Sequence, residues 1–295
     1  MLKITKATEP LNISTIVTCI YGPPGVGKTS LASTAEKSLL LDFDQGAHRS
    51  QFRKDTVQMS TWADINSITP EDLSSYRTII IDTIGRALDL LSADIIAGNS
   101  SKMGRSGSLT LQGYGELKGR FTQWLKYLRS FGLDVVIVAH SAESTVNDTL
   151  TERIDAQGAS KNEVYKSADL MGRLSFVNGK RVLSFDPSDT AFGKNPTGIA
   201  TQQVPGLAEQ PEYFASIIAG TKQGLMKMDA ANSEARDQVE SWKRIFGTIS
   251  TPEEFNGFYA SAAETKNKAV SALMSAAAKK HGLKFNKTTK LFEVA

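Results

Sequence analysis

The stretch Gly22-Pro23-Pro24-Gly25-Val26-Gly27-Lys28-Thr29 decides the fold of this chain. It fits the pattern G-x-x-x-x-G-K-[ST], in which glycines let a loop curl until successive backbone N–H groups point at a phosphate. A short β-branched run, Ser14–Tyr21, precedes the stretch, and a run of helical character, Lys28–Ser38, follows it. A buried strand, a glycine-rich turn and a helix start in this order predict a phosphate loop in an α/β domain.

The phosphate loop predicts roles for its own side chains. The Lys28 ammonium would lie on the β- and γ-phosphates of a nucleotide, and the Thr29 hydroxyl would bind Mg²⁺. The N-terminus of the following helix would add the positive end of its dipole. We therefore predict ATP and Mg²⁺ as cofactors, held by consecutive residues. These are Gly22, Pro23, Pro24, Gly25, Val26, Gly27, Lys28, Thr29 and Ser30.

Three further apolar runs end in a polar residue, as the strands of a buried parallel sheet do. They are Leu39–Asp42, Thr78–Asp82 and Asp134–His140. Helical stretches separate the runs, and one of them, Leu117–Leu128, has a single apolar stripe. Near-continuous apolar strands that alternate with helices predict an α/β fold, with a mostly parallel sheet covered by helices on both faces.

The polar residues at these strand ends are candidates for chemistry. Asp82 would hold Mg²⁺ opposite the phosphate loop. Asp44 would orient an attacking water, and Asp42 is the competing candidate for that role. His140 would donate a hydrogen bond to the γ-phosphate. The alternative for each residue is a capping or buried polar role without chemistry. The residue after Asp82 is Thr83, whereas ATPases of the AAA+ type have a glutamate there, which disfavours that subclass.

The composition is that of an ordinary globular protein, with 40% hydrophobic and 22% charged residues in a chain of 295. A net charge of +3 is too small to indicate nucleic-acid binding by itself. The single cysteine, Cys19, excludes an internal disulfide and a cysteine zinc cluster. The sequence has no apolar run of membrane-spanning length, and its first ten residues lack a secretory signal. We therefore expect a cytoplasmic protein with no membrane partner.

A change of character near Thr221 predicts two domains. Residues 1–221 contain the motifs above and would form the ATP-binding core. Residues 222–295 would form a helical appendage that includes a helix start at Thr251-Pro252. This segment holds 12 basic and 8 acidic residues, a net charge of +4, and its basic end is either solvated or a phosphate contact.

At this point the motifs resemble a known family. The phosphate loop, Leu40–Asp44, Ile81–Ile84 and Val136–His140 occur in the order and spacing of RecA-type ATPases. The chain resembles most the phage-encoded RecA-like ATPases that are associated with single-strand annealing recombination, and the similarity covers about Ile16 to Gly198. The resemblance implies that Lys28 and Thr29 contact the nucleotide, that Asp82 binds Mg²⁺ and that His140 is the sensor. Asp44 stands where RecA itself has a catalytic glutamate.

The resemblance also implies partners. The polar connections Gly98–Leu111 and Ser141–Lys161 correspond in position to the DNA-facing loops of RecA-like proteins, so Lys102 and Arg105 are candidate contacts for single-stranded DNA. RecA-like ATPases complete their sites with a cation from a neighbouring subunit, which implies a homo-oligomer. Lys180 and Arg181, at the hairpin that Asn178-Gly179 predicts, are the candidates for that cation. A single-strand-binding protein or another recombination protein is a further expected partner.

These observations favour a Mg²⁺-dependent RecA-like ATPase of DNA recombination that binds single-stranded DNA and assists annealing or strand pairing. One alternative is an ATP-gated adaptor or loader whose C-terminal helix docks on a replication or recombination protein. A second alternative is a nucleotide or small-molecule kinase, which also uses this phosphate loop. A kinase would need an arginine-bearing lid, and the glycine-rich connection offers only Arg105.

Overall fold

The structure is a computed structural model and describes residues 4–7, 9–50, 52–146, 149–249 and 251–294. The chain divides into two compact units, Ile13–Leu225 and a second composed of Met1–Asn12 with Met226–Ala295. This division differs from 1–221 and 222–295 chiefly at the N-terminus. The reason is that the Leu11 N–H donates to Asp229 Oδ2 at 2.6 Å and Arg236 donates to the Ala7 carbonyl at 3.1 Å.

In the described part of the first unit, nine strands form one sheet. They are β1 (Val17–Gly22), β2 (Ser38–Asp42), β3 (Asp55–Gln58), β4 (Thr78–Asp82), β5 (Asp134–Val146), β6 (Thr149–Ile154), β7 (Leu170–Val177), β8 (Lys180–Ser184) and β9 (Gln202–Gln203). The order is β3-β2-β4-β5-β1-β7-β8-β9, and β6 pairs with β5. The strands from β3 to β7 in that order are parallel, and β6, β8 and β9 pair antiparallel. The mostly parallel sheet confirms the predicted fold class.

Helices cover both faces of this sheet. They are α1 (Lys28–Ala32), α2 (Trp62–Asn66), α3 (Pro70–Leu73), α4 (Ile84–Gly98), α5 (Leu111–Ser130), α6 (Ser160–Ser167) and the first part of α7 (Tyr213–Thr248). On one face, Ile81 of β4 packs in a buried cluster with Leu88 and Phe121 of α4 and α5. On the other face, Ile20 of β1 shares a cluster with side chains of α1 and α7.

Helix α1 is shorter than the predicted run Lys28–Ser38, because it ends at Ala32 and Ser38 already begins β2. The Ser33 and Thr34 hydroxyls donate to the carbonyls of Thr29 and Leu31. Such local side-chain hydrogen bonds compete with continuation of a helix. The prediction of a helix at this place is confirmed, but its extent was wrong.

Both predicted loops are largely ordered elements. Strand β5 continues past His140 and forms a hairpin with β6, so the connection Ser141–Lys161 is mostly β-structure. In the connection Gly98–Gly115, the Thr110 hydroxyl caps α5, which therefore begins at Leu111. A bridge between Met103 and Leu109 closes the turn that remains.

The second unit contains most of α7 together with α8 (Pro252–Glu264), α9 (Lys268–Lys280), and a hairpin of β10 (Leu283–Asn286) and β11 (Leu291–Val294). The helix start at Thr251 is confirmed, with a capping box to Glu254. The helix expected to continue from there is broken, because Lys266 has a φ of +51° and Asn267 caps α9. None of the helices in the described ranges combines the length and apolar character of a membrane span.

Candidate active site

Parallel pairing brings the predicted site residues to one edge of the sheet. Gly22, at the end of β1, pairs with His140 of β5, and Asp42, at the end of β2, pairs with Asp82 of β4. Because these four strands are parallel neighbours, their carboxyl ends lie side by side. This is the edge where ligands bind in open α/β sheets.

The phosphate loop has the backbone that its glycines predict. A Cβ on Gly22 would lie 2.1 Å from the carbonyl oxygen of Leu174, so only glycine fits where β1 passes β7. Gly27 has a φ of +95° and is the N-cap of α1, a left-handed conformation that favours glycine. The loop therefore makes the tight turn that leads from β1 directly into the start of α1.

Lys28 lies inside this loop. Its side chain is 5% exposed, and Nζ donates to the carbonyls of Gly22 and Pro23 at 2.9 and 2.8 Å. Burial lowers the pKa of Lys28 to about 8, against the opposing effect of neighbouring carboxylates, of which Asp82 is the largest. The ammonium is thus aimed along the loop, where a phosphate would replace its carbonyl partners.

Thr29 and Asp82 form a direct pair. The Thr29 hydroxyl donates to Asp82 Oδ2 at 2.6 Å. Burial raises the pKa of Asp82 to about 6, although the hydrogen bond from Thr29 acts in the opposite direction. Hydroxyl and carboxylate oxygens are the ligands that Mg²⁺ prefers, so this pair fits the predicted metal site. The Asp82–Thr83 peptide bond that follows is cis.

Asp44 and Asp42 have different surroundings. Asp42 accepts from the backbone N–H groups of Gly46 and Ala47 at 3.1 and 2.8 Å, and it therefore shapes the turn after β2. Asp44 faces side chains instead, with His140 Nε2 at 3.7 Å from its Oδ2. His140, followed by Arg86 and Thr83, holds the pKa of Asp44 below its usual range.

His140 lies between Lys28 of the phosphate loop and Asp44. Its Nδ1 lies 3.3 Å from Lys28 Nζ, while its Nε2 faces Asp44. Arg86 Nε also lies 3.5 Å from Asp44 Oδ1, and the Thr83 hydroxyl donates to the same oxygen at 3.4 Å. The lysine, the histidine and the carboxylate therefore form one row of polar groups along the sheet edge.

Arg181 contacts the phosphate loop of its own chain. Its Nε donates to the Val26 carbonyl at 2.9 Å and lies close to Gly27. The contact follows from the pairing of β8 with β7, which lies next to β1, and the expected delivery to a neighbouring subunit stays a prediction. Lys180, one residue earlier, is exposed and makes no ion pair with the described residues.

The two predicted DNA contacts occupy the turn between α4 and α5. Lys102 Nζ lies 3.9 Å from a carboxylate oxygen of Glu116, and Arg105 is exposed. The other expected DNA segment, the β5–β6 hairpin, carries Glu143 and Glu152 beside Arg153. Lys102 and Arg105 are therefore better placed for phosphate contact than Arg153 of the hairpin.

A cavity of about 250 Å³ lies beside the phosphate loop. Gly27, Ser30 and Leu31 of the loop and of α1 line it, together with Phe52, Leu174, Arg181 and residues 204–208. Of this second group only Arg181 was a candidate from the sequence, because no motif marks the others. A second feature without a sequence signal is the ion pair at 2.5 Å between Arg173 and Glu152. The Glu152 carboxylate acts to raise the pKa of Lys28 and so favours its charged form.

Comparison with known proteins identifies a family and solved structures of distant similarity. Residues 14–197 match the family AAA_24, described as an AAA domain. No curated protein matches the chain in sequence. Among solved structures, a KaiC-like protein from the hyperthermophilic archaeon Pyrococcus horikoshii OT3 is similar at 11% identity and a TM-score of 0.33, over 57% of this chain and 76% of its own. A likeness of that size is no guide to activity.

The family match includes the phosphate loop, Asp82 and His140. It also includes Thr83 where AAA+ ATPases have a glutamate, and the expectation against that glutamate-bearing subclass stays a prediction. The match covers more than half of the chain. With its RecA-like sheet and its phosphate loop, the chain therefore belongs to the AAA domain family and is a P-loop ATPase by class.

Proposed function

We propose that the protein is a Mg²⁺-dependent ATPase of DNA recombination, which binds single-stranded DNA and assists annealing or strand pairing. The observation that carries the proposal is the row of Lys28, His140 and Asp44 beside the Thr29–Asp82 pair. These are the groups needed to hold a triphosphate and to orient a water against its last phosphate. The protein would act in the cytoplasm of a bacterial host, if it is of phage origin as the resemblance implies.

Each residue has a task in this proposal. Bound Mg²⁺ would neutralise charge on the β- and γ-phosphates, with Thr29 and Asp82 as its protein partners. Lys28 would exchange its two carbonyl partners for phosphate oxygens. Asp44, held ionised by His140, would accept a hydrogen bond from the attacking water. Asp42 does not fit this task, because backbone N–H groups already occupy both of its oxygens.

The cavity beside the phosphate loop suits the nucleoside of ATP. Leu31, Leu174 and Val204 provide apolar walls, Phe52 an aromatic one, and Ser30 a hydroxyl. A planar base binds favourably between apolar and aromatic side chains, with few polar groups to fix its orientation. We infer that residues 204–208 contribute to nucleotide binding although no motif marks them.

Strand β5 provides a connection between ATP and DNA. His140 lies at the site edge, and the next residue, Ser141, begins the part of β5 that pairs with β6. A shift of His140 toward a γ-phosphate would therefore be transmitted to the hairpin through one continuous strand. Lys102 and Arg105 would contribute the phosphate contacts, and a homo-oligomer would place many such sites along one strand.

A binding and annealing experiment tests this proposal. Fluorescence anisotropy of a labelled oligothymidylate should show binding at low salt that ATP strengthens in wild type and does not strengthen in Lys28→Ala. Complementary labelled strands should anneal faster with the wild-type protein and ATP. Absence of strand binding at low salt, with ATP binding intact, would contradict the recombination function and leave only the ATPase class.

A second candidate function is an ATP-gated adaptor for a replication or recombination protein. The observation that favours it is the separate buried core of the second unit, built around Phe246, Phe255 and Val270, which contains none of the ATP-site residues. Under this alternative, ATP would change the affinity for a protein partner, such as a single-strand-binding protein, without any effect of DNA. Titration of labelled protein with that partner, with and without ATP, distinguishes the two functions.

A further inference from the structure

A polar groove of about 790 Å³ lies at the edge of the sheet opposite the ATP site. Lys37 and Ser38 line it where β2 begins, Arg53 and Lys54 line it just before β3, and Tyr76 lines it before β4. The ATP-site residues lie at the other ends of these strands. Because β2 has five residues and a strand rises about 3.3 Å per residue, the two edges are about 13 Å apart.

The groove is basic, and its charges are not neutralised within the chain. Lys37, Arg53 and Lys54 make no ion pair and no side-chain hydrogen bond with the residues that the structure describes. The carboxylate that lines the groove, Asp55, accepts a hydrogen bond from the Tyr76 hydroxyl at 2.9 Å. Three cations therefore face one carboxylate that already has a partner, which is an arrangement that attracts an anion.

Two further features indicate a ligand surface. Ser38 is 4% exposed, and its hydroxyl has no hydrogen-bond partner among the described residues. Strand β3 is the last strand of the sheet in the described chain and pairs on one side only, with β2. Its residues that line the groove, Asp55 and Thr56, are exposed and half-buried respectively. Buried hydroxyls without partners are uncommon in native proteins, and each one calls for an explanation.

We propose that this groove binds the phosphodiester backbone of single-stranded nucleic acid. The guanidinium of Arg53 and the ammonium groups of Lys37 and Lys54 would contact successive phosphates. An acidic polypeptide fits less well, because no aliphatic side chain lines the groove to anchor an apolar residue. Tyr76 is half-buried and tied to Asp55, so the contacts would be to phosphates without base stacking and would be independent of sequence.

The inference extends the proposed function, on which it rests for the kind of ligand, by adding a strand contact remote from the ATP-site edge. A strand held here and another held near Lys102 and Arg105 would be bound to the same chain at the same time. Two strands bound to one protein have a raised effective concentration for each other, which favours annealing without any new chemistry.

The test is the salt dependence of oligothymidylate binding to the full chain. For single strands, log K falls with log[salt] by about 0.7 for each phosphate contact. The double variant Arg53→Gln/Lys54→Gln should therefore have a slope smaller by about 1.4, and affinity at 0.1 M salt lower by about 25-fold. ATP binding should be unchanged, which serves as the check on folding.

Two controls make the result specific. The variant Lys126→Gln/Arg129→Gln removes the same charges from the exposed face of α5 and should keep the wild-type slope. The variant Arg53→Lys/Lys54→Arg keeps the charges of the groove and should also keep the wild-type slope of log K against log[salt]. A wild-type slope in the groove variant overturns the inference and leaves the proposed function standing, whereas wild-type protein that binds no oligothymidylate overturns both. If the groove variant Arg53→Gln/Lys54→Gln loses affinity for polyglutamate but not for oligothymidylate, the ligand is an acidic polypeptide. That result would also overturn the inference.

Discussion

The Thr29 hydroxyl donates a 2.6 Å hydrogen bond to Asp82 Oδ2, and this bond joins the phosphate loop to the end of β4. The two residues are far apart in the chain, and the order of strands in the sheet brings them together. The pair supplies one hydroxyl and one carboxylate oxygen, the ligand types that Mg²⁺ prefers. The two oxygens that would hold Mg²⁺ are thus brought together by the fold itself.

The first prediction concerns the cost of burying Asp82. Its pKa is about 6 in the folded protein against 3.8 for the ordinary group, so folding is weakened as the pH rises through that interval. Above about pH 6 the full cost, about 3 kcal/mol, is present. Asp82→Asn should therefore raise the free energy of unfolding at pH 8 and abolish Mg²⁺-dependent ATP hydrolysis. Urea unfolding of wild type and Asp82→Asn at pH 8 and pH 4 measures this difference in the free energy of unfolding.

The expected gain in stability should shrink to a small remainder at pH 4, because the wild-type carboxyl is then protonated in the folded state and ionised in only about half of the unfolded chains. Thr29→Ala is the companion variant, since it removes the hydrogen-bond donor and leaves the carboxyl buried. It should destabilise the protein at pH 8. A gain from Asp82→Asn that is equal at both pH values would contradict the assigned cause.

The second prediction separates Asp44 from Asp42. Asp44→Asn should lower kcat for ATP by about 10²–10⁴-fold, the usual contribution of a positioned base, with little change in the melting temperature. Asp42→Asn should cost about 1–3 kcal/mol of stability, because two backbone N–H groups lose a charged acceptor, while kcat stays within a few-fold of wild type. Steady-state kinetics and thermal melts of both variants decide this; the reverse pattern would make Asp42 the base.

The third prediction concerns Arg181, which contacts its own phosphate loop. Arg181→Ala should raise KM for ATP by about tenfold, the effect expected for one lost charged hydrogen bond. Because the contact is within one chain, mixing Arg181→Ala with Lys28→Ala protein should give only the sum of their separate rates. A mixture that hydrolyses ATP faster than that sum would show that Arg181 acts on a neighbouring subunit.

The fourth prediction concerns His140, which lies between Lys28 and Asp44 at the start of the hairpin. His140→Asn should reduce the stimulation of ATP hydrolysis by oligothymidylate more than it reduces the basal rate. The reason is that β5 would no longer transmit a contact with the γ-phosphate to the β5–β6 hairpin. ATP affinity should change little. Rates of ATP hydrolysis with and without oligothymidylate give the ratio of the stimulated to the basal rate. An equal loss of both rates would assign His140 to catalysis alone.

The sequence was sufficient to predict the parts of the site that depend on short-range patterns. The phosphate loop and the strand ends at Asp42, Asp82 and His140 follow from apolar runs that stop at a polar residue. Parallel pairing then places such ends at one edge without further information. The predicted fold class is confirmed for the same reason, since buried parallel strands are nearly continuous in apolar residues.

The features that were not predicted depend on contacts between distant segments. Residues 204–208 reach the cavity at Gly27 and Phe52 only after the chain has completed the sheet. The contact of Arg181 with the phosphate loop requires β7 to pair with β1, which the local pattern that predicts the β7–β8 hairpin does not specify. Helix α7 was not predicted as one element, because the predicted boundary between residues 221 and 222 falls inside it. Lys222, just past that boundary, pairs with Asp134 at 2.5 Å and ties the helix to the sheet.

The most direct test of the account is the rate of ATP hydrolysis with and without oligothymidylate, in the presence of Mg²⁺. Wild type, Lys28→Ala and the surface control Lys126→Ala are compared at low and moderate salt. In wild type and control we expect hydrolysis that oligothymidylate stimulates, and the stimulation should weaken as salt rises. In Lys28→Ala we expect hydrolysis to be abolished. Hydrolysis that persists in Lys28→Ala, or that is the same with and without oligothymidylate in wild type, would contradict the account.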